Sequence, residues 1–363
     1  MKIGILTFYS AHNYGAVLQA YATQEFLKKM GHTAVIVNDN PSFLNCYHRS
    51  IWRRCIDKRH PVKTIRQFMN EFKIYKLRSK RWEGFDEFIK NKLLLSGEPG
   101  VPSDLDAYIV GSDQVWNCKI TKGFYPYYFC DFPFKKGQRR YIAYAASMEN
   151  IKLSESQKIT LSKLLKNFDF VGVREKEMIK LLSPLVDKPI CQTLDPTLLV
   201  EKNIWESLAA ECKKMDAKYL LLYDVWNNQW VKSVAEQIAL TNGWRLITLV
   251  SWLDKDDSKN NYQAANPIEF VSLIKNAQLV MTDSFHGTAF SLIFEKNFLF
   301  LKLNDGQNRA VSLLKELGIE QNILTKNEGV SLIPVDYSAV NVKLQKMQEK
   351  SRSFLINSLN SSL

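Results

Sequence analysis

Apolar runs of strand length alternate with helically spaced apolar positions from the first residues of the chain. Ile3 to Phe8 is an apolar run, and a polar turn separates it from a helical pattern at Ala16 to Met30. A second short apolar run follows at Thr33 to Val37. This order predicts a β-α-β unit, and its repetition is typical of a parallel sheet that is covered by helices on both faces.

Two series of such units are predicted. In the first series, strand patterns return at Ala107–Val110, Tyr141–Ala145 and Phe170–Val173. The stretch Ser183 to Pro196 contains three prolines and is interpreted as the connection between two domains. The second series alternates strands and helices at Tyr219–Tyr223, Gln229–Thr241, Arg245–Val250, Pro267–Asn276, Leu279–Thr282, Gly287–Phe294 and Phe298–Leu301. We therefore predict an α/β domain over 1–183, a second over 184–338, and a final helix within 339–363 that packs back on the first.

Residues 46–95 interrupt this alternation with a basic segment, which carries 14 Lys or Arg against 5 Asp or Glu. Aromatic residues interleave with the charges, which predicts amphipathic basic helices inserted into the first domain. Such an insert suits an anionic membrane leaflet or a pyrophosphate-bearing acceptor. A solvated cationic face with aromatic residues in the core fits equally well. Nucleic acid is the least favoured partner, because no recognition motif accompanies the charge.

Length and composition fit a folded protein of about two domains, with 363 residues of which 46% are hydrophobic. The amino terminus lacks the apolar region and cleavage site of a signal peptide, and no apolar run approaches the roughly 18 residues of a membrane span. The six cysteines contain no CxxC pair and resemble neither a zinc site nor a disulfide framework. We therefore expect a cytoplasmic protein without a metal site.

Polar segments stand where predicted strands end, at the sheet edge where open α/β proteins bind ligands. In the first, His12 and Asn13 precede a helix whose free amides can bind an anion. The alternative is a plain helix cap by Asn13, with His12 on the surface. In the second, Ser112 and Asp113 precede Trp116, so that Asp113 can orient a sugar hydroxyl or act as a base and Trp116 can stack on a pyranose. The alternative is a cap, with Trp116 in the core.

The other two segments add a guanidinium and an imidazole. Arg174 follows an apolar strand and can hold a carboxylate or phosphate through paired hydrogen bonds, or it can pair with a surface acid. Ser284, His286 and Gly287 stand between a strand and a helix, where a capping residue, an imidazole beside free amides and a Gly that allows close approach fit a phosphate cradle. A structural histidine is the alternative for His286.

Established nucleotide and hydrolase templates do not occur in the sequence. There is no P-loop, no GxGxxG fingerprint, no HExxH motif and no GxSxG elbow. Phosphate would therefore have to be held by arginine, histidine and helix ends.

Taken in order, the polar segments resemble polysaccharide pyruvyltransferases. The resemblance rests on NYGAVLQAYA at 13–22, GSDQVW at 111–116, VREKEM at 173–178, LDPTLL at 194–199 and TDSFHGTAFS at 282–291. Arg309, with the Ser-Leu-Leu at 312–314, is similar to a downstream Arg-containing stretch of the family. One departure is Met148, where related sequences commonly carry Gly, so the shape of the acceptor site is open.

The resemblance implies a GT-B-like fold, with two Rossmann-like domains facing across a cleft and a terminal helix that returns to the first. It implies an enzyme that moves the pyruvyl group of phosphoenolpyruvate onto two hydroxyls of one sugar, forming a ketal and releasing phosphate. The acceptor would be a bacterial surface polysaccharide or its lipid-linked precursor, reached from the cytoplasm, with peripheral contact to the inner face of the plasma membrane as an option. No cofactor besides the donor substrate is implied.

Ketal formation from this donor needs an acid, a base and an anion clamp. By resemblance, His286 is the general acid or a phosphate ligand, Arg174 the clamp, and Asp113 the base on the acceptor side. The expected substrate-binding residues besides Arg174 are His12, Asn13, Ser112, Trp116, Ser284, Gly287 and Arg309. A GT-B-type glycosyltransferase that uses a nucleotide-sugar remains the enzymatic alternative, because the fold would be shared. A basic scaffold protein with an unused cleft is the non-enzymatic one.

Overall fold

Each half of the chain builds one six-stranded parallel sheet in the computed structural model. The structure describes residues 1–39, 41, 43, 61–149, 152–213, 215–250, 261–303, 308–326 and 332–361, with backbone only for 61–74 and 308.

The first sheet has the strand order β2-β1-β3-β4-β5-β6. Its strands are β1 (Lys2–Leu6), β2 (Thr33–Ile36), β3 (Ala107–Val110), β4 (Arg140–Ala146), β5 (Phe170–Val173) and β6 (Ile190–Gln192). Helices α1 (Tyr14–Lys29), α2 (Pro61–Lys92), α3 (Glu155–Leu165) and α4 (Lys176–Leu182) connect them. The order reverses between β1 and β3, where Ile3 is paired with Ala107 and Leu6 with Val110. Loops that follow these two strands therefore open a crevice for a ligand.

The second sheet has the order β12-β11-β10-β7-β8-β9, which is the Rossmann order. Its strands are β7 (Tyr219–Asp224), β8 (Arg245–Val250), β9 (Asn261–Tyr262), β10 (Leu279–Thr282), β11 (Asn297–Leu301) and β12 (Ile323–Leu324). The remaining helices are α5 (Lys202–Ala210), α6 (Gln229–Thr241), α7 (Pro267–Asn276), α8 (Phe285–Ile293), α9 (Asn308–Leu317) and α10 (Tyr337–Asn360). Short 3-10 turns occur at Pro126–Phe129, Ser183–Leu185, Pro196–Leu198 and Glu320–Asn322.

The predicted class of two Rossmann-like α/β halves is confirmed, but the predicted boundary at 183/184 is too early. Strand β6 pairs with β5, with Val171 opposite Ile190 and Val173 opposite Gln192, so the first sheet extends to Gln192. The interpretation of Ser183–Pro196 as a connection is therefore wrong for this strand. Strand β6 has three residues, which give too short an apolar pattern for a strand to be recognised, and the sequence analysis misses β9 and β12 for the same reason.

The last helix, α10, returns to the first sheet as predicted. It starts on the second half, where Lys343 Nζ donates to the Leu317 carbonyl at 3.0 Å. Further along, the Ser351 hydroxyl accepts from the Leu194 amide at 2.9 Å, and the Phe354 ring packs over Tyr144 of β4 with centroids 6.3 Å apart. One continuous helix therefore ties the two halves together.

Aromatic side chains fill the junction between the two halves. Tyr14 at the start of α1 stacks on Phe270 of α7, with ring centroids 4.6 Å apart, and its hydroxyl donates to the Ala265 carbonyl at 2.8 Å. Trp205 of α5 contacts Tyr21 of α1 at 5.7 Å and Phe290 of α8 at 4.8 Å between centroids. Burial of each such ring contributes about 1.5–3 kcal/mol, so the halves are held together at the edge where the site lies.

Helix α2 confirms the predicted amphipathic insert over its described side chains. Phe85 and Phe88 lie in the core, whereas Tyr75 is 49% exposed. The buried guanidinium of Arg81 lies 5.5 Å from the Tyr14 ring, and its Nη1 donates to the Val250 carbonyl at 3.2 Å. Residues 46–60 of the basic segment lie outside the described residues. Of the helices that the structure describes, none is both long enough and apolar enough to cross a bilayer.

Candidate active site

The carboxyl edges of the two sheets meet around one buried carboxylate, that of Asp195. Its Oδ2 accepts from Arg174 Nη1 at 2.8 Å and from the Ser112 hydroxyl at 3.0 Å, and it lies 3.6 Å from His286 Nε2. Its Oδ1 accepts from the amide and hydroxyl of Thr197, at 3.0 and 2.7 Å. Ser112 follows β3, Arg174 follows β5, and His286 lies in α8 of the second half. The imidazole and guanidinium expected from distant parts of the chain are therefore brought together.

Asp195 carries a negative charge in this environment. Burial by itself would raise the pKa of this carboxyl, but the neighbouring imidazole of His286, the charge of Arg174 and the hydrogen bond from Thr197 hold it well below its usual value. A buried anion of this kind fixes the orientation of the cations that surround it.

Arg174 is already engaged by carboxylates on two of its three nitrogens. Its Nε lies 3.3 Å from Glu175 Oε1, which also accepts from the Ser147 hydroxyl at 2.6 Å, and its Nη1 is bound to Asp195. Burial would lower the pKa of Arg174, but Glu175, Asp195 and Asp113 raise it. The expectation that Arg174 holds a ligand through paired hydrogen bonds is therefore corrected. Within the described part of the chain, Nη2 is buried without a hydrogen-bond partner and is the atom left for a ligand.

His286 lies in the first turn of α8 and is 7% exposed. Its ring packs directly on Gly15 of α1, where a Cβ atom would lie 1.9 Å from Nδ1. The neighbouring Phe285 ring is perpendicular to it, with centroids 5.2 Å apart. The imidazole is therefore held between the first helix of one half and Asp195, and only a residue without a side chain at position 15 allows this contact.

The expectation that residues 284–287 form a phosphate-binding cradle is corrected for Ser284 and Gly287. The Ser284 hydroxyl accepts from the Gly287 amide at 3.5 Å, so it caps α8 and engages an amide that the cradle would have offered to a ligand. A Cβ atom at Gly287 would lie 2.3 Å from Thr282 Oγ1. Gly287 therefore allows the helix to approach its own preceding strand, not a ligand.

Arg309 of α9 reaches the same site from the second half. Its Nη1 lies 3.9 Å from Asp113 Oδ1. Its Nη2 is 3.0 Å from the Gln114 amide oxygen when that amide faces the guanidinium, and the amide nitrogen is then 3.1 Å from Glu149 Oε2. Burial and the nearby charge of Arg174 lower the pKa of Arg309. A crevice with about 340 Å³ of empty space, including its open part, runs along Arg174, Phe285 and Arg309.

His12 and Asn13 take part in the start of α1 and its contact with α2. His12 Nε2 lies 2.9 Å from Asp86 Oδ1, and its ring stacks on Phe85 at 5.3 Å between centroids. The Asn13 side chain accepts from the Ala16 amide at 3.3 Å, which is the helix cap weighed as the alternative. Their expected role in binding substrate stays a prediction.

Trp116 lies in the core, which corrects its expected role as a stacking surface for a sugar. It is 0% exposed, its Nε1 donates to the Tyr128 carbonyl at 2.7 Å, and its ring stacks on Phe129 with centroids 5.4 Å apart. Met148 is also 0% exposed, whereas Ser147 and Glu149 on either side of it contact site residues. The departure at Met148 therefore changes the core beneath the site and not the surface of the site.

Asp195 and Glu175 are site residues for which the sequence suggested no role. Both stand in segments that carry the resemblance, LDPTLL and VREKEM, so the signal was present. An acid in a short turn can cap that turn, as Asp195 also does for Thr197, and nothing in the pattern shows that it contacts three distant residues.

Two further acids are buried where the order of the second sheet reverses: Asp224 is the last residue of β7, and Asp283 follows β10. Asp283 accepts from the amides of Val225 and Trp226, at 2.8 and 3.2 Å. Burial, followed by the charge of Asp224, raises the pKa of Asp283 to about 7. Within the described residues, no group of three His, Cys, Asp or Glu side chains is arranged to hold a metal ion.

Comparison with known proteins adds a family match. The family model described as polysaccharide pyruvyl transferase matches residues 13–305. No curated protein sequence matches the chain. Among solved structures, the UDP-GlcNAc 2-epimerase from Neisseria meningitidis bound to UDP-GlcNAc is similar, with a TM-score of 0.47, 10% identity, and coverage of 100% of this chain and 95% of that chain. The Methanocaldococcus jannaschii UDP-GlcNAc 2-epimerase in complex with UDP-GlcNAc and UDP has a TM-score of 0.46, 14% identity, and coverage of 99% and 100%.

Proposed function

Because the chain belongs to the polysaccharide pyruvyl transferase family, we propose that it transfers the pyruvyl group of phosphoenolpyruvate to two hydroxyls of one sugar, with release of phosphate. The observation that carries this proposal is the shared carboxylate of Asp195, which lies 2.8 Å from Arg174 and 3.6 Å from His286. An imidazole and two guanidiniums at one buried point are the groups that a small, multiply charged anion requires.

The first half of the reaction is a protonation followed by an attack. His286 gives a proton to the methylene carbon of the donor, and the double-bond electrons form the new C–H bond. The adjacent carbon becomes oxocarbenium-like, and the first sugar hydroxyl attacks it while Asp113 takes the hydroxyl proton. The carboxylate of Asp195 lies 3.6 Å from Nε2 and orients the imidazole for this transfer.

The second half expels phosphate and closes the ring. The bond between carbon and the phosphate oxygen breaks, and the second hydroxyl of the sugar attacks the same carbon. Of the two hydroxyl protons released in the whole reaction, one replaces the proton used by His286 and the other leaves on phosphate. No oxidant, metal or further cofactor enters this balance. The guanidiniums of Arg174 and Arg309 stabilise the charge that builds up on the leaving phosphate.

We assign the acceptor to surface polysaccharide or its lipid-linked precursor, made at the inner face of the bacterial membrane. The basic face of α2 supports this assignment, because Lys76 and Lys80 on it are exposed next to the exposed Tyr75. Such a surface suits anionic lipid or the pyrophosphate of a lipid carrier.

The direct test is a transfer assay. Purified protein is incubated with phosphoenolpyruvate and a panel of bacterial oligosaccharides and lipid-linked glycans, and phosphate release and glycan mass are followed together. We expect both signals with at least one acceptor, and their loss in His286→Gln, whereas Lys158→Gln on the exposed face of α3 retains them. Phosphate release without a mass gain, or no signal with any acceptor, contradicts the proposal.

The Rossmann order of the second sheet keeps a nucleotide-sugar glycosyltransferase as the alternative. Calorimetry separates the two functions. Binding of phosphoenolpyruvate without binding of uridine or guanosine diphosphate sugars supports the pyruvyl transfer, and the reverse result supports the alternative.

A further inference from the structure

The carboxylate of Asp113 stands between the two guanidiniums of the site without bonding to either. Its Oδ1 lies 4.0 Å from Arg174 Nη2 and 3.9 Å from Arg309 Nη1. Both distances exceed that of a hydrogen bond. The Asp113 side chain is 16% exposed, so the three charges face each other in a largely dry environment.

The two guanidiniums keep unused donors in this arrangement. Among the described residues, Arg174 Nη2 and Arg309 Nε are buried without a hydrogen-bond partner. Both groups lie over the ring of Phe285, with Cζ atoms 4.8 and 6.0 Å from its centroid. Two like charges buried on one aromatic ring require an anion nearby, and unpaired buried donors require an acceptor. Glu175 and Asp195 offset part of the charge of Arg174. Asp113 adds a negative charge that faces both guanidiniums, but it does not supply the hydrogen bonds.

We propose that Asp113 is an internal counterion that occupies the subsite for an oxyanion of the donor, and that the donor displaces it toward the acceptor. The inference rests on the proposed function. An oxyanion at this point accepts hydrogen bonds from both guanidiniums, which the tethered carboxylate does not reach. The displaced Asp113 is then available as the base for the acceptor hydroxyl, so the donor binds first and the acceptor second.

The local structure lets Asp113 move at small cost. Its carboxylate accepts a hydrogen bond from the amide of the next residue, Gln114, at 2.8 Å. Its backbone has a φ of 68°, in the left-handed region, which Asp and Asn tolerate better than other non-glycine residues. A rotation of the side chain therefore breaks one local hydrogen bond and leaves the loop in place.

The test uses calorimetry on the whole protein with three probes: phosphoenolpyruvate, inorganic phosphate and pyruvate. Asp113→Asn removes the charge, while Asn keeps the left-handed backbone and the acceptor for Gln114. We expect it to bind the preferred oxyanion about tenfold more tightly than the unaltered protein, since the ligand no longer competes with an internal charge. Glu177→Gln, which removes an exposed carboxylate from α4, leaves all affinities unchanged.

The choice of probe identifies the group that binds. If Asp113→Asn gains affinity for phosphate but not for pyruvate, the subsite binds the phosphoryl group of the donor. If it gains affinity for pyruvate but not for phosphate, the subsite binds the carboxylate. Adding Arg309→Gln to Asp113→Asn removes the gain. Equal or weaker binding by a folded Asp113→Asn variant, or no oxyanion binding by any form, overturns the inference. Transfer of pyruvate to a glycan by the unaltered protein in that case leaves the proposed function standing.

Discussion

Replacing Gly15 by Ala adds one methyl group where the two halves of the protein meet over His286. The new Cβ would lie 1.9 Å from Nδ1, 2.3 Å from Cε1 and 2.5 Å from Cγ of the imidazole. Ordinary contacts between such atoms are about 3.5 Å or longer, so the ring has to move by about 1.5 Å. The ring is buried against Phe285 and faces Asp195, and it has little room to do so.

The sign of the stability change tests this geometry. In a helix, Ala is favoured over Gly by about 1 kcal/mol, whereas overpacking of a filled site costs about 1–3 kcal/mol. We expect Gly15→Ala to lower the melting temperature of the protein, but to raise it when His286 is Ala, because the methyl group then meets no ring. Displacement of a catalytic group by about 1 Å can reduce the rate roughly a hundredfold, so phosphate release should fall by about that factor.

Thermal melting of the four proteins in this cycle, followed by circular dichroism, is the assay. If Gly15→Ala raises the melting temperature equally with and without the imidazole, His286 does not pack on Gly15, and the placement of the site is wrong. The same holds if the variant transfers pyruvate at the original rate.

Three further substitutions probe single contacts. Trp116→Phe removes a buried indole donor and should cost about 2 kcal/mol in unfolding free energy without changing the affinity for the acceptor sugar; a loss of acceptor affinity in a variant that remains folded would restore its role as a sugar contact. Asp195→Asn removes one of the two carboxylates that bind the buried Arg174 and should destabilise the protein by about 3 kcal/mol. Because the pKa of Asp195 is lowered on folding, its stabilising effect is present above pH 4 and lost as the pH falls, so the melting temperature of the variant should change less with pH in acid than that of the unaltered protein. The pKa of Asp283 is raised to about 7, so its contribution to stability is present below pH 4 and lost as the pH rises to 7; Asp283→Asn should remove that loss, and an unchanged pH profile would show that Asp283 stays ionised.

The sequence was sufficient to predict the α/β class, most elements and several of the residues that meet at the candidate site. Strands such as β3 and β5 are short apolar runs that end in polar residues, and hydrophobic periodicity identifies them without reference to their neighbours. His286, Arg174, Asp113 and Arg309 stand just after strands or at a helix start, which is where a parallel sheet presents ligand-binding groups.

The tertiary structure alone decided which of these residues share contacts and what each contact is for. Trp116 and Gly287 have the same local pattern as ligand-binding residues, but the first fills the core and the second packs on Thr282. Asp195 looks like a turn cap in its segment, and its bonds to Arg174 and Ser112 join positions far apart in the chain. Periodicity reports the environment of a residue within one element, whereas a site between two sheets depends on distances that no local pattern contains.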